Sequence, residues 1–182
     1  MKHWLCLLAL VVLAPAARAD EFFQAFLLPG NEIPANNTSA FGLIAVDLHS
    51  DFTTLDVVES FFGLAAPATA AHIHCCGGPS TNDPVALAFT GFPNTSNGLY
   101  FQTFNLTTDL SAAFVAANGG TASAVADFIA GLEGGNTYAN IHDSVFPGGE
   151  IRGQLSMVPE PGTLGLMGGC LAALAFLRRR RA

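Results

Sequence analysis

Tyr138-Ala139-Asn140-Ile141-His142, then Phe146-Pro147-Gly148-Gly149, then Glu150-Ile151-Arg152-Gly153-Gln154-Leu155 is the stretch that decides the fold. Its side chains alternate with the period of two that a pleated strand imposes. Tyr138, Asn140 and His142 fall on one face of the first segment, Ala139 and Ile141 on the other. In the second segment Ile151, Gly153 and Leu155 alternate with Glu150, Arg152 and Gln154. The Pro-Gly-Gly between them is turn chemistry, and it predicts a closing hairpin whose His142 and Glu150 ends meet. Working outward, strands are expected over 21–28, 41–48, 53–62, 70–75, 84–89, 99–106, 137–142 and 150–157, parted by Gly, Pro and Asn. The segment 107–132 differs. Thr107-Thr108-Asp109 precedes Leu110, Phe114 and Val115 as a cap precedes a helix, Asn118-Gly119-Gly120 stops it, and an Ala-rich second helix runs to Leu132. The expectation is a mainly β protein: an antiparallel, Greek-key-like sandwich or barrel with a short helical insertion over one edge.

Both ends read as addresses. Met1-Lys2-His3, the apolar run Trp4 to Leu13 and Ala17-Arg18-Ala19 form a signal peptide over 1–19, cleaved after Ala19. At the other end, residues 158–182 hold Pro159-Glu160-Pro161, an uncharged stretch from Gly162 to Leu177, and Arg178 to Arg181. That stretch is a workable transmembrane helix, with its arginines held on the cytoplasmic side. Motif, helix and basic cluster together resemble the PEP-CTERM sorting signal of Gram-negative bacteria. The resemblance implies processing by signal peptidase and exosortase, inner-membrane anchoring through the helix, then a cell-surface or extracellular location.

Residues 20–157 remain, the size of one ordinary domain. Lys2 and Arg18 belong to the leader and four arginines to the tail, so Arg152 alone faces thirteen of the fourteen acids, a formal charge of −12. A chain with so few cations to neutralise phosphates excludes nucleic acid and anionic lipid as partners. It also predicts an Asp or Glu partner for Arg152. Cys6 and Cys170 lie in the ends, which leaves only the adjacent Cys75 and Cys76. No disulfide framework is available, and the core must stabilise the domain.

Three segments carry a second resemblance: Phe26 to Pro34, Ala71-His72-Ile73-His74, and the closing stretch from Tyr138 to Leu155 with Gly148, Gly149, Glu150, Arg152 and Gly153. Together they look like the CHRD domain, named from the extracellular protein chordin. The resemblance spans Phe22 to Met157 and implies a fold and an exported place more than a reaction. Cys75-Cys76 and the Asp109 to Leu132 region depart from the family pattern.

His72 and His74, two apart in a strand, share a face, and His142 is a third imidazole from another strand. Imidazole suits copper or zinc, and three protein ligands leave a position open. Asp143, Glu150 or Cys75 are candidates to complete such a site. The alternative is a hydrogen-bonded polar cluster that holds the loops. His49 reads as a solvated turn residue, and Asp47, Asp51, Asp56 and Glu59 as solubilising surface. No Ser-His-Asp order, phosphate-cradling loop or carboxylate pair stands out. Two functions therefore remain open. One is a non-enzymatic surface, matrix or biofilm adhesion module with a protein or polysaccharide partner. The other is a His-ligated copper or zinc protein, a carrier or small oxidoreductase.

Overall fold

A computed structural model describes residues 19–159, together with 168–171, 174 and 178. The signal-peptide reading at Ala17, the sorting residues Glu160 and Pro161, and most of the expected tail helix lie outside the described residues. Among those described, no helix is long and apolar enough to cross a membrane.

Among the described residues, nine strands form two antiparallel sheets. β1 (Glu21–Leu27), β2 (Phe41–Leu48), β3 (Thr54–Phe62), β6 (Gly98–Asn105) and β9 (Ser156–Val158) make the first, in the order β6-β3-β2-β1-β9. β4 (Ala68–Cys75), β5 (Val85–Ala88), β7 (Thr137–Asp143) and β8 (Ile151–Gln154) make the second, in the order β5-β4-β7-β8. In the first sheet β9 returns beside β1, so β9-β1-β2-β3 has the spatial order of a Greek key. Neither sheet closes on itself, so the barrel alternative is set aside in favour of two packed layers.

The period-two pattern explains the packing. Leu27, Ile44, Leu48, Leu55, Phe61, Ile73, Ile141 and Ile151 come from both sheets and are all fully buried in one core. Each such side chain contributes roughly 1.5–3 kcal/mol of transfer free energy. Glu59 sits on the same inward face of β3 as Leu55, Val57 and Phe61 and is 0% exposed, which corrects its reading as surface. His49 is likewise not simply solvated: its Nε2 lies 3.1 Å from Asp56 Oδ2, and that hydrogen bond raises its pKa.

The final strand differs from expectation. Residues 150–157 do not form one strand, because the chain breaks at buried Leu155 and changes sheets, β8 pairing with β7 and β9 with β1. Just beyond β1, Leu28 bridges Arg152 of β8, with backbone N–H···O distances of 2.9 and 3.2 Å, and so stitches the two sheets at this corner. Gly153 makes that approach possible: a Cβ there would meet Phe26 O at 2.5 Å and Ala25 Cβ at 2.9 Å.

The helical insertion is three helices, α1 (Leu106–Asp109), α2 (Ala112–Ala117) and α3 (Thr121–Glu133). The expected first helix is split because Leu110 is extended and bridges Leu87 of β5. The side chains of Asn105 and Ser111 cap α1 and α2, not the predicted Thr107-Thr108-Asp109. Ser111 N donates to Ala86 O at 2.8 Å, so the insertion covers the β5 edge, while Phe128 and Leu132 of α3 enter the core.

Candidate metal centre

β4 and β7 are neighbours, with His72 opposite Asn140, His74 opposite Tyr138 and Ala70 opposite His142. Ala71, Ile73, Ala139 and Ile141 point into the core. Alternation therefore puts His72, His74, Tyr138, Asn140 and His142 together on the outer face. β8 adds Arg152 opposite Asn140. This face is roofed by the loops that follow β1 and β4, tied together where Asn82 Nδ2 donates to Ile33 O at 2.9 Å. The roof explains why outward residues are buried: His74 is 7%, Asn140 2% and Arg152 1% exposed.

The three predicted histidines converge. His72 Nδ1 lies 3.3 Å from His142 Nε2, and one ligand atom from each ring lies within 4.8 Å of the others. Their tautomers follow from their partners. His74 Nδ1 is 2.7 Å from Asp83 O, and His142 Nδ1 is 3.0 Å from Pro147 O. A carbonyl oxygen only accepts, so both Nδ1 atoms carry the proton and both Nε2 atoms present lone pairs. Burial holds the rings neutral: it lowers all three pKa values, His72 to about 4, where the neighbouring His142 and His74 add to the effect.

Both Nε2 lone pairs also face Asn140 Oδ1, each at 3.0 Å. Three acceptors cannot satisfy one another. The arrangement balances if the amide turns its NH₂ group toward the rings, an exchange of nearly isosteric atoms. It also balances if a cation sits among the lone pairs.

The surroundings are polar and tightly held. Tyr138 stacks on His74 with centroids 4.5 Å apart, and Arg152 Cζ lies 3.3 Å from the Tyr138 ring centroid. Among the described residues Arg152 makes no ion pair. Its Nη1 donates to Asn82 Oδ1 at 3.1 Å and its Nη2 to Thr81 O at 2.7 Å. The expected acidic partner is thus replaced by the roof loop and an aromatic face. The charge of Arg152 acts on Glu32, which is 5% exposed and whose Oε1 lacks a hydrogen-bond partner among the described residues. Burial pushes its pKa up to about 7, and Arg152 and Asn140 offset this only in part. Two clefts of about 490 and 420 Å³ flank Glu32, one reaching Arg152 and the other the Pro147-Gly148-Gly149 turn.

None of the candidates for completing the set joins the histidines. Asp143 accepts from the backbone N–H groups of Ala66, Val145 and Phe146 at 2.6–2.9 Å. Both Glu150 carboxylate oxygens accept from Ala65 N at 3.0–3.1 Å. Together these acids pin the loop that enters β4. Cys75 and Cys76 are joined in a disulfide and offer no thiolate. Gly149 adopts φ +123°, and a Cβ there would strike Glu32 Oε1. Gly148 has neither a left-handed φ nor a close neighbour, so only Gly149 has the conformational role expected of the pair.

Sequence reasoning placed Asn140 on the right face but gave it no role, and it passed over Glu32. The signal for Asn140 was its position in register between His72 and Arg152, readable only once β4 and β8 flank β7. The tautomer-setting carbonyls of Asp83 and Pro147 left no trace in residue type.

Two family models match the chain. The CHRD domain model matches residues 23–155, and the PEP-CTERM protein-sorting motif matches residues 158–181. The second match implies an exported protein, processed by exosortase and sorted to the envelope. No curated protein and no solved structure matches the chain.

Proposed function

The chain belongs to the CHRD domain family, and we propose that its exported domain holds one copper or zinc ion on His72, His74 and His142. The observation that carries the reading is the pair of backbone carbonyls, Asp83 O and Pro147 O. They commit two imidazoles to the Nδ1–H tautomer and aim their Nε2 lone pairs at the space His72 also faces. Ligating histidines are typically oriented in this way, by a hydrogen bond from the ring nitrogen that does not bind metal. Neutral rings are the ligating form, so no proton need be displaced at neutral pH. Three imidazoles suit either metal and leave a coordination position for water or a small ligand. A carrier needs no more than this set, whereas a small oxidoreductase would require copper.

The test is elemental analysis and calorimetric titration of the protein with Zn²⁺ and Cu²⁺. One equivalent should bind to the parent and none to a His72→Ala/His74→Ala variant whose circular dichroism is unchanged. A parent that takes up neither metal at micromolar concentration overturns the reading, and the histidines are then architecture.

A second reading, a non-enzymatic surface or matrix adhesion module, is favoured by a different observation. The outer face of the five-stranded sheet leaves Phe26, Phe41, Leu43, Phe62, Leu99 and Phe101 exposed side by side, and contiguous exposed apolar surface marks interaction sites.

A further inference from the structure

On the outer face of the first sheet, Phe26, Leu43, Ser60 and Leu99 lie in register across β1, β2, β3 and β6. The next row is Phe41 opposite Phe62, their rings stacked with centroids 5.3 Å apart. Phe26 and Leu99 are each 69% exposed and Phe101 63%. Four strands make the patch roughly 15 Å wide. The rows quoted contain no charged side chain. Toward one end the face turns acidic, with Asp47 opposite both Phe22 and Asp56. The other outer face, over the histidines, is polar and roofed, so the two sides of the sandwich have opposite character.

The chain also leaves the domain at this sheet. β9 pairs with β1, Val158 opposite Phe22, and the sorting motif begins at residue 158. Three residues separate Val158 from the uncharged stretch that starts at Gly162, and the four Cα–Cα steps reach at most about 14 Å. A bilayer that takes up the tail is therefore held beside the apolar face at high effective concentration.

We infer that the outer face of the five-stranded sheet rests on a zwitterionic lipid surface while the tail is membrane-bound. Its phenylalanines and leucines would enter the headgroup boundary. An anionic surface is disfavoured, because the only lysine or arginine in residues 20–158 is the buried Arg152, against thirteen acids. The inference rests on the tail entering a membrane, so the test follows both events separately.

Trp4 is the only tryptophan in the chain. In a Trp4→Phe background, single probes Phe101→Trp, Leu171→Trp and Ser80→Trp report on the face, the tail and the opposite roof loop. The full chain is reconstituted into phosphatidylethanolamine/phosphatidylcholine vesicles carrying brominated acyl chains, and emission is compared with unbrominated vesicles. The probes at 101 and 171 should lose most of their emission and the probe at 80 almost none, with the loss at 101 reduced when phosphatidylglycerol is included. Quenching at 171 alone overturns the proposal. Quenching at neither 101 nor 171 overturns it together with the membrane-bound tail. Equal quenching at 80 and 101 removes the assigned face. A probe at 101 shielded from aqueous iodide but untouched by bromolipid means that a second copy covers the face, which also overturns the proposal.

Discussion

Glu59 shows how much one side chain can cost the fold. It is fully buried, neither carboxyl oxygen has a hydrogen-bond partner among the described residues, and burial raises its pKa well above the usual carboxylate range. The folded state therefore keeps a proton that the unfolded chain releases near pH 4.3. Below that pH both states are protonated and the acid carries no titration penalty. Above it, stability falls by about 1.4 kcal/mol per pH unit until the folded-state pKa is reached. Glu59→Gln removes the titration and keeps the shape. Its melting temperature should lie close to that of the parent at pH 4 and rise progressively above it at pH 6 and pH 8. A constant offset across the three would mean that Glu59 does not titrate in this way. The partly buried histidines have the opposite sign. His72, lowered to about 4, supports the metal-free fold above pH 6.5 and withdraws that support as pH falls toward 4.

At the scale of elements, the corner between β8 and β9 joins the two layers, and two glycines of the closing motif separate conformational need from spatial need. Gly153 packs against the β1 backbone, whereas Gly148 has nothing within 4 Å and an ordinary φ. Gly153→Ala should cost roughly 1–3 kcal/mol, the range for overpacking a close contact, and Gly148→Ala should stay within about 0.5 kcal/mol. Urea unfolding of the two variants measures the difference, and equal costs would remove Gly153 as the reason β8 can approach β1. These elements also mark what the sequence made legible. Alternation located β2 to the residue and most strand bounds within one or two positions, because apolar residues dominate the inward face of these strands. It could not show the break at Leu155, since Ile151 to Met157 keeps its period across the change of sheet. Nor could it choose a side for Glu59, because a period of two assigns faces without saying which is inside. The histidine face was legible from spacing. Its convergence was not, because that depends on the β4–β7 register and on carbonyls from two loops.

For the molecule as a whole, the sandwich sits between a polar, roofed face with a candidate metal centre and an apolar, open face beside the exit of the tail. A domain with no exposed lysine or arginine between residues 20 and 158 has little electrostatic means of attaching to an anionic envelope. Delivery must then depend on the segment outside the sandwich. The family match over 158–181 assigns it a sorting role, and β9 ends at Val158 with its backbone already paired to β1. Among the described residues, no strand and no core side chain lies beyond Val158, so the domain truncated after Val158 should fold and be exported like the parent. It should then collect in the soluble periplasmic fraction and disappear from the surface. Cell fractionation together with protease shaving of intact cells reads both outcomes, and thermal melting of the purified truncated domain confirms the fold. Surface delivery that survives the truncation would remove the sorting role of the tail. A truncated domain that fails to fold would instead show that residues beyond β9 stabilise the sandwich, contrary to a fold that closes at the β1–β9 pairing.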